Sequence, residues 1–260
     1  MKGVFKAVKK NGEEYFRASI TYRGKHISLG SFPKETEASS AYQEARNLLD
    51  GPESLEHIPE QGFLPFEKRV SLVNFRDNGI YFANPIYLRK HFFRYYLDKD
   101  EFLLFDIEDL FYYSSHKISL RGGHLFVADY GSQISLRSRY GIMPFAVKNR
   151  DFRFLNGDDR DYRLSNLEII NRFHGVRKIQ PSLFKSVIHI RGDFVIGTYE
   201  TELEAAIAYN KAADILKKAG CRKNFPQNEP DVSPKIYSEI YVRIPVSQKI
   251  LDLSFPHRSS

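Results

Sequence analysis

The sequence predicts an α+β protein in which two small modules, each a three-stranded antiparallel sheet with one helix, flank a central domain. A repeat between the two ends of the chain indicates this class, as does strand-like alternation followed by a helical stripe in each copy. The 260 residues, 42% of them hydrophobic, suffice for several ordered cores. The predicted division is a module at 1–49, a linker at 50–65, a central domain at 66–172, a second module at 173–226 and a tail with one strand at 227–260.

Composition narrows the functional classes. No apolar run approaches the roughly 18 residues of a membrane helix, and Met1 opens into a basic segment without a signal-peptide core, so we expect a cytoplasmic, nucleoid-associated protein with no membrane partner. The single cysteine, Cys221, cannot form an internal disulfide or hold zinc by itself. Lys and Arg number 39 against 32 Asp and Glu, and this net charge of +7 favours a polyanionic partner.

The repeat relates residues 3–46 to residues 175–213. In the first copy, FRASITYRGKHISLGSF is followed by KETEASSAYQEA, and in the second, FKSVIHIRGDFVIGTY is followed by TELEAAIAYNKA. The alignment pairs Phe16 with Phe184 and, after a one-residue slip, Gly30 with Gly197. We therefore expect one structural unit to occur twice.

Each copy predicts strands and then a helix. Residues 16–23 alternate as a half-buried strand does, a turn at Arg23-Gly24-Lys25 leads into a second strand at 26–32, and residues 4–8 supply a third. The following helix carries a stripe of small residues that allows close packing on the sheet, Ala38, Ala41, Tyr42 and Ala45. In the second copy, Thr201 and Glu204 have capping-box spacing.

One helix covers only one face of such a sheet. In the first copy the uncovered face is expected to carry polar and basic side chains, namely Lys6, Arg17, Ser19, Thr21, Arg23 and His26. The order of strands, RGK-type turn, LGSF and EAxxAYxxA helix resembles the Apetala-two or ethylene-response-factor domain, over residues 1–49 and 175–225. Both copies lack the tryptophans usual in that family, with Phe16 and Phe184 at one such position.

The resemblance implies a sheet that lies in the DNA major groove, where arginine can bind guanine through two hydrogen bonds and lysine more often contacts phosphate. The groove-facing candidates in the second copy are Arg177, Lys185, His189 and Arg191. The complete set of predicted DNA-binding residues is Lys6, Arg17, Ser19, Thr21, Arg23, Lys25, Arg137, Arg139, Arg153, Arg177, Lys185, His189 and Arg191.

In the central domain, Asp77-Asn78-Gly79 lies between VSLVNF and IYFA and predicts a hairpin turn. Near the end of this domain is RDFRFLNGDDRDYRLSNLEII, residues 150–170. This last stretch resembles the HNH nuclease motif through Asn156-Gly157-Asp158, Asp161, Arg163 and Ser165-Asn166-Leu167. The resemblance implies a ββα-type domain, with Ser165 and Asn166 near the start of its helix.

Nuclease chemistry of this kind needs a metal ligand beside a histidine base, and the chain has Arg153 and Phe154 at those two positions. Phenylalanine accepts no proton and binds no hard cation, and Asn166 alone remains where the motif's helix offers a ligand. We therefore expect a degenerate HNH-like domain without catalytic residues, metal or cofactor. A displaced active site using His116, His124 or His174 with Asp158 or Asp161 is the alternative.

These observations favour a sequence-specific binder of double-stranded DNA, a bacterial or phage regulator, whose two modules raise each other's effective concentration. Two other functions stay open. The first alternative is an active HNH-type homing or restriction endonuclease. The second is a phage-type inhibitor whose basic surface binds a protein partner, either a nuclease or a nucleoprotein.

Overall fold

The computed structural model describes residues 3–58 and 61–255. The chain forms two compact units, one of Met1–Leu136 with Asp158–Asn166 and the other of Arg137–Gly157 with Leu167–Ser260. The architecture is α+β, as predicted, with small antiparallel sheets and helices. Residues 66–172, expected to form one central domain, are divided between the two units. Among the described residues, no helix has both the length and the apolar character needed to cross a membrane.

The described residues of the first unit form three sheets, with strand orders β1-β2-β3, β4-β5-β6 and β7-β8-β9. Its strands are β1 (Val4–Val8), β2 (Glu14–Tyr22), β3 (Lys25–Phe32), β4 (Ile86–Leu88), β5 (Phe92–Tyr96), β6 (Phe102–Asp106), β7 (Ile118–Arg121), β8 (His124–Asp129) and β9 (Ser132–Ser135). Its helices are α1 (Glu35–Asp50), α2 (Phe66–Asn78) and α3 (Leu110–Ser115).

The first module is the sheet β1-β2-β3 with α1, so the predicted sheet and helix are confirmed. Ala38, Ala41 and Ala45 are fully buried, and their small side chains let α1 lie close to the sheet. The module does not close its core alone, because Val70 and Val73 of α2 belong to the same buried cluster.

The second unit contains a module of the same kind, with three strands and a helix. Its elements are α4 (Leu136–Arg139), which begins at the unit boundary, β10 (Phe152–Phe154), β11 (Leu167–Ile169), β12 (Val176–Gln180), β13 (Leu183–His189), β14 (Asp193–Tyr199), α5 (Glu202–Lys218), α6 (Pro234–Arg243) and α7 (Gln248–Leu251). The sheet β12-β13-β14 and α5 form the second module, and the Thr201 hydroxyl accepts the backbone N–H of Glu204 at 3.1 Å, as the capping box predicts. Here α6 and α7 complete the core through Ile240 and Ile250.

Gly3 and Gly175 show how closely the two modules correspond. Each precedes the first strand of its module with a positive φ, 74° and 73°. A Cβ at Gly3 would lie 2.3 Å from the Tyr42 ring, and one at Gly175 would lie 2.4 Å from the Tyr209 ring. Only glycine permits this close passage of the chain over the helix tyrosine.

A shared irregularity in strand pairing supports the same conclusion. The register between β2 and β3 shifts between Ala18 and Ser19, and the register between β13 and β14 shifts between Ser186 and Val187. These positions are equivalent in the alignment that pairs Phe16 with Phe184. Both sheets therefore carry the same β-bulge. The one-residue slip in the sequence lies in the turn instead, because Thr21 pairs with His26 five residues on, whereas His189 pairs with Asp193 four residues on.

Two predicted elements are wrong. The strand expected in the tail is α6, because the Ser233 hydroxyl accepts the Ile236 N–H as an N-cap and Pro234 occupies the first turn, while Ile240 and Ile244 pack on the second module's core. The hairpin expected at Asp77-Asn78-Gly79 is the end of α2. Gly79 adopts φ 75° as its left-handed cap, a conformation that hairpin turns and helix ends both use.

Candidate nucleic-acid interface

The sheet of the first module exposes the face opposite α1. In an antiparallel pair, residues directly opposite each other share a face, and the register pairs Arg17 with Ser31, Ser19 with Ser28 and Thr21 with His26. Phe5 of β1 is opposite Arg17 and shares this face, so the first open face is defined by Phe5, Arg17, Ser19, Thr21, His26, Ser28 and Ser31.

This first open face is polar and contains no carboxylate. Arg17 has no carboxylate partner among the described residues, and its guanidinium lies 5.6 Å from the centre of the Tyr15 ring. Thr21 Oγ1 lies 3.5 Å from His26 Nδ1. Phe5, opposite Arg17 on β1, is 58% exposed. The face thus offers one fixed positive charge, several hydroxyl groups and an exposed aromatic ring.

Three predicted residues of the first module lie elsewhere. Lys6 is opposite Phe16, on the helix side of the sheet, and forms an ion pair with Glu14 at 2.7 Å. The Arg23 guanidinium contacts the Phe75 carbonyl oxygen at 3.5 Å, and the Lys25 ammonium lies 5.8 Å from the Tyr81 ring centre. The prediction that Lys6 and Arg23 lie on the open face was wrong. The Lys6 side chain points to the other side of the sheet, and Arg23 follows β2 in a turn, with φ 46°.

The second module has an equivalent surface with different chemistry. The register pairs Arg177 with Lys185, Val187 with Val195 and His189 with Asp193. The second open face is defined by Arg177, Lys185, Val187, His189, Asp193 and Val195. Two valines thus occupy the centre, where the first open face has Ser19 and Ser28.

Asp193 neutralises much of the second open face. Its carboxylate lies 2.8 Å from His189 Nδ1 and 3.0 Å from the Arg177 guanidinium. Hydrogen bonds from His189 and Arg177 lower the pKa of the Asp193 carboxyl, which is therefore ionised at neutral pH. Of the second-copy residues predicted to bind DNA, Lys185 and Arg191 have no carboxylate partner among the described residues.

Sequence reasoning missed Ser28, Ser31 and Phe5 on the first open face, and Asp193 on the second. Their positions follow from strand register, which depends on the bulge and on the length of each turn. The one-residue slip of the repeat signalled the difference in turn length, but the bulge is common to both copies and leaves no trace in their alignment.

The HNH-like segment places its predicted catalytic positions in the hairpin β10-β11. Phe154, at the position of the base, is only 5% exposed, so its ring is packed inside the second unit. Arg153, at the position of the metal ligand, is opposite Glu168 and forms an ion pair with it. The hairpin therefore has a buried ring and a neutralised pair where catalysis needs a base and a metal ligand.

The helix expected from Ser165 and Asn166 does not form. The chain enters β11 at Leu167 instead, and the described residues between β11 and β12 contain no helix. Asn166 is buried in a turn and donates its side-chain amide to the Asp161 carbonyl oxygen at 2.9 Å. The Asp161 carboxylate is fully buried and accepts two hydrogen bonds from the Arg163 guanidinium. These motif residues hold the loop together rather than lining an accessible cleft.

Of the candidate histidines of a displaced active site, His116 and His174 occupy packed environments, whereas His124 is exposed at the start of β8. The His116 ring stacks on Tyr112 with centres 4.0 Å apart, and its Nε2 lies 3.4 Å from Asp129. The His174 ring lies between Phe145 and Tyr209, and burial lowers its pKa, with a further contribution from Arg150. Within the described ranges, no group of three His, Cys, Asp or Glu side chains is arranged to hold a metal ion.

The remaining predicted basic residues lie in α4 and are exposed. The Arg137 guanidinium lies 5.8 Å from the Phe152 ring centre, and Arg139 ends the helix. Both residues lie at the surface, outside the sheets of the two modules.

No protein-family model matches the chain, and the comparisons with curated proteins and with solved structures found no match.

Proposed function

We propose that this protein is a sequence-specific binder of double-stranded DNA, a regulator in which the first open face lies in a groove. The observation that carries the proposal is the composition of that face. It combines Arg17 and His26 with hydroxyl side chains on both β2 and β3, and these residues include no carboxylate. A guanidinium and hydroxyl groups supply the hydrogen bonds that read base edges, and the absence of acid avoids repulsion from phosphates. The packing of α1 on the opposite side holds the face rigid.

The proposal includes a central region that does not cut DNA. It is supported by the burial of Phe154, by the Arg153–Glu168 ion pair and by the engagement of Asn166 with main-chain carbonyls. Supercoiled plasmid incubated with Mg²⁺ or Mn²⁺ is expected to stay intact. Nicking that disappears after Asn166→Ala or Asp158→Ala would show instead that the protein is a nuclease.

Selection of bound duplexes from a random pool tests the DNA-binding proposal. On the selected duplex, Arg17→Ala is expected to weaken binding by about 1–3 kcal/mol, and on random duplex by less, because a base contact carries sequence information and a phosphate contact does not. Arg121→Ala on β7 is the matched control, since it removes the same exposed side chain from another sheet. Equal losses on both duplexes would assign Arg17 to phosphate, and failure to select any duplex would reject the proposal.

A further inference from the structure

A group of cations at the far end of the second module lies outside its open face. Two adjoining depressions, of about 430 and 530 Å³, share Cys221, Arg222 and Lys223 in their walls. Arg191 from the β13–β14 turn lines one of them, and Lys217 from the last turn of α5 lines the other. We call this surface the basic pocket, defined by Arg191, Lys217, Arg222 and Lys223.

The chain builds this surface by reversing direction after α5. Gly220 has φ 92°, and the Cys221 N–H then donates to the Leu216 carbonyl oxygen at 2.9 Å, which closes the end of the helix. The Lys223 ammonium donates to the His189 carbonyl oxygen at 2.7 Å and fixes the returning segment beside the end of β13. Arg222 is thereby held next to the turn that carries Arg191.

The positive charge of the basic pocket exceeds the negative charge in its walls. Among the residues that line these depressions, Asp214 supplies one carboxylate against four cations, and this carboxylate also accepts a hydrogen bond from the Tyr241 hydroxyl at 2.8 Å. Arg191 and Arg222 are exposed and have no ion-pair partner among the described residues. A lysine in the last turn of a helix is favoured by the negative end of the helix dipole, which explains the position of Lys217. The dipole does not explain why Arg191, from a strand turn, and Arg222, beyond the helix, lie beside it.

The first module shows that this accumulation of charge is not a necessity of the fold. Arg23 is equivalent to Arg191 in the repeat, and its guanidinium contacts the Phe75 carbonyl oxygen. In the second module the equivalent arginine instead shares a depression with Arg222. Two guanidinium groups beside two ammonium groups form a surface that a phosphodiester backbone fits, because guanidinium donates paired hydrogen bonds to phosphate oxygens.

We propose that the basic pocket binds the phosphate backbone of double-stranded DNA, so that the second module holds DNA through this end rather than reading bases with its open face. This inference rests on the proposed function. It assigns Arg191 and Arg222 to phosphate contacts, which carry no sequence preference, and it leaves base reading to the first open face.

The test is the salt dependence of binding, measured by fluorescence anisotropy with the full chain on the selected duplex and on a random duplex. The double variant Arg191→Gln/Arg222→Gln should lower the slope of log K against log salt by about 1.8, since each lost phosphate contact contributes about 0.9. Its affinity should fall by the same factor on both duplexes. The matched control Lys235→Gln/Lys249→Gln removes two exposed charges from α6 and α7 and should leave the slope unchanged. Arg222→Lys, which keeps the charge, should retain most of the wild-type slope.

The outcomes separate the inference from the proposed function. A double variant with the wild-type slope overturns the inference and leaves base reading by the first open face intact. If Arg17→Ala has no effect while the double variant loses affinity, the inference holds and the proposed role of the first open face fails. A wild-type protein that binds no duplex overturns both.

Discussion

The two modules share strand order, bulge and glycine entry, yet their open faces differ in chemistry. Where the first has Ser19 opposite Ser28 and Thr21 opposite His26, the second has Val187 opposite Val195 and His189 opposite Asp193. Ser19 is partly exposed, whereas Val187 is only 5% exposed. The buried face of each sheet maintains the fold, and the open face is free to diverge, so equal folds do not imply equal binding roles.

The largest expected effect is the loss of stability when the glycine that precedes the first strand of either module is replaced. Gly3→Ala and Gly175→Ala should each destabilise the protein by on the order of 3 kcal/mol, because the new Cβ collides with a tyrosine ring and a carbonyl oxygen at positive φ. Urea denaturation measures the loss. Gly122→Ala is the control, since a Cβ there meets nothing within 4 Å and adds only the strain of positive φ, about 1 kcal/mol. A tolerated alanine at either repeat position would contradict the equivalence of the modules.

The next largest effect on stability concerns one residue that differs between the buried faces of the two sheets. Ser186 is fully buried, and its hydroxyl has no hydrogen-bond partner in the described part of the chain, whereas the first module has Ala18 at this position. Ser186→Ala should raise the free energy of unfolding by about 1 kcal/mol, and Ala18→Ser should lower it by about 1–3 kcal/mol. Urea titrations of both variants check the opposite signs. Destabilisation by Ser186→Ala would mean that the hydroxyl contributes to stability.

A smaller effect is expected on the second open face. Asp193→Asn should increase affinity for any duplex about threefold, because it releases Arg177 and His189 from their carboxylate partner and removes a negative charge. Anisotropy at several salt concentrations measures the change, and Glu229→Gln, an exposed site away from the sheet, serves as the control. An unchanged affinity would show that this face stays away from DNA even without its acid.

The smallest effect is a pH dependence in the second unit. Burial and Arg150 lower the pKa of His174 in the folded protein, so below about pH 6.5 the unfolded chain takes up a proton that the folded state resists. Stability should therefore fall as the pH decreases from 7 towards 5. His174→Phe keeps an aromatic ring and should reduce this loss in urea titrations at the two pH values. An identical loss in the variant would assign the dependence to other groups.

The sequence was sufficient for the modules and insufficient for the regions around them. Alternation at residues 16–23 predicted β2 (Glu14–Tyr22) to within two residues at its start and one at its end, because one face of this strand is buried and the other is not. IYSEIYVRI also alternates, but the cap at Ser233 and packing on α5 make it a helix. Local patterns that suit two structures are decided by tertiary contacts that a single sequence does not display.

For the candidate site, residue types were easier to predict than neighbours. Arg17, Ser19 and Thr21 lie together as expected, since alternation alone places them on one face. The pairing of Arg177 with Asp193 depends on register across two strands, and the contact of Arg23 with Phe75 depends on α2, which was expected to be a hairpin. The basic pocket had a visible signal in the run KKAGCRKNF, which spans the end of α5 and the segment after it. Only the folded chain shows that this run lies beside Arg191.

The most direct test of the central claim is disulfide trapping on the selected duplex carrying a thiol tethered to a base. In a Cys221→Ser background, which removes the sole native thiol, Ser28→Cys places a thiol on the first open face and Gln43→Cys places one on the exposed side of α1. If the first open face lies in a DNA groove, Ser28→Cys will form the cross-link and Gln43→Cys will not. Equal trapping, or trapping through Gln43→Cys alone, would contradict the account.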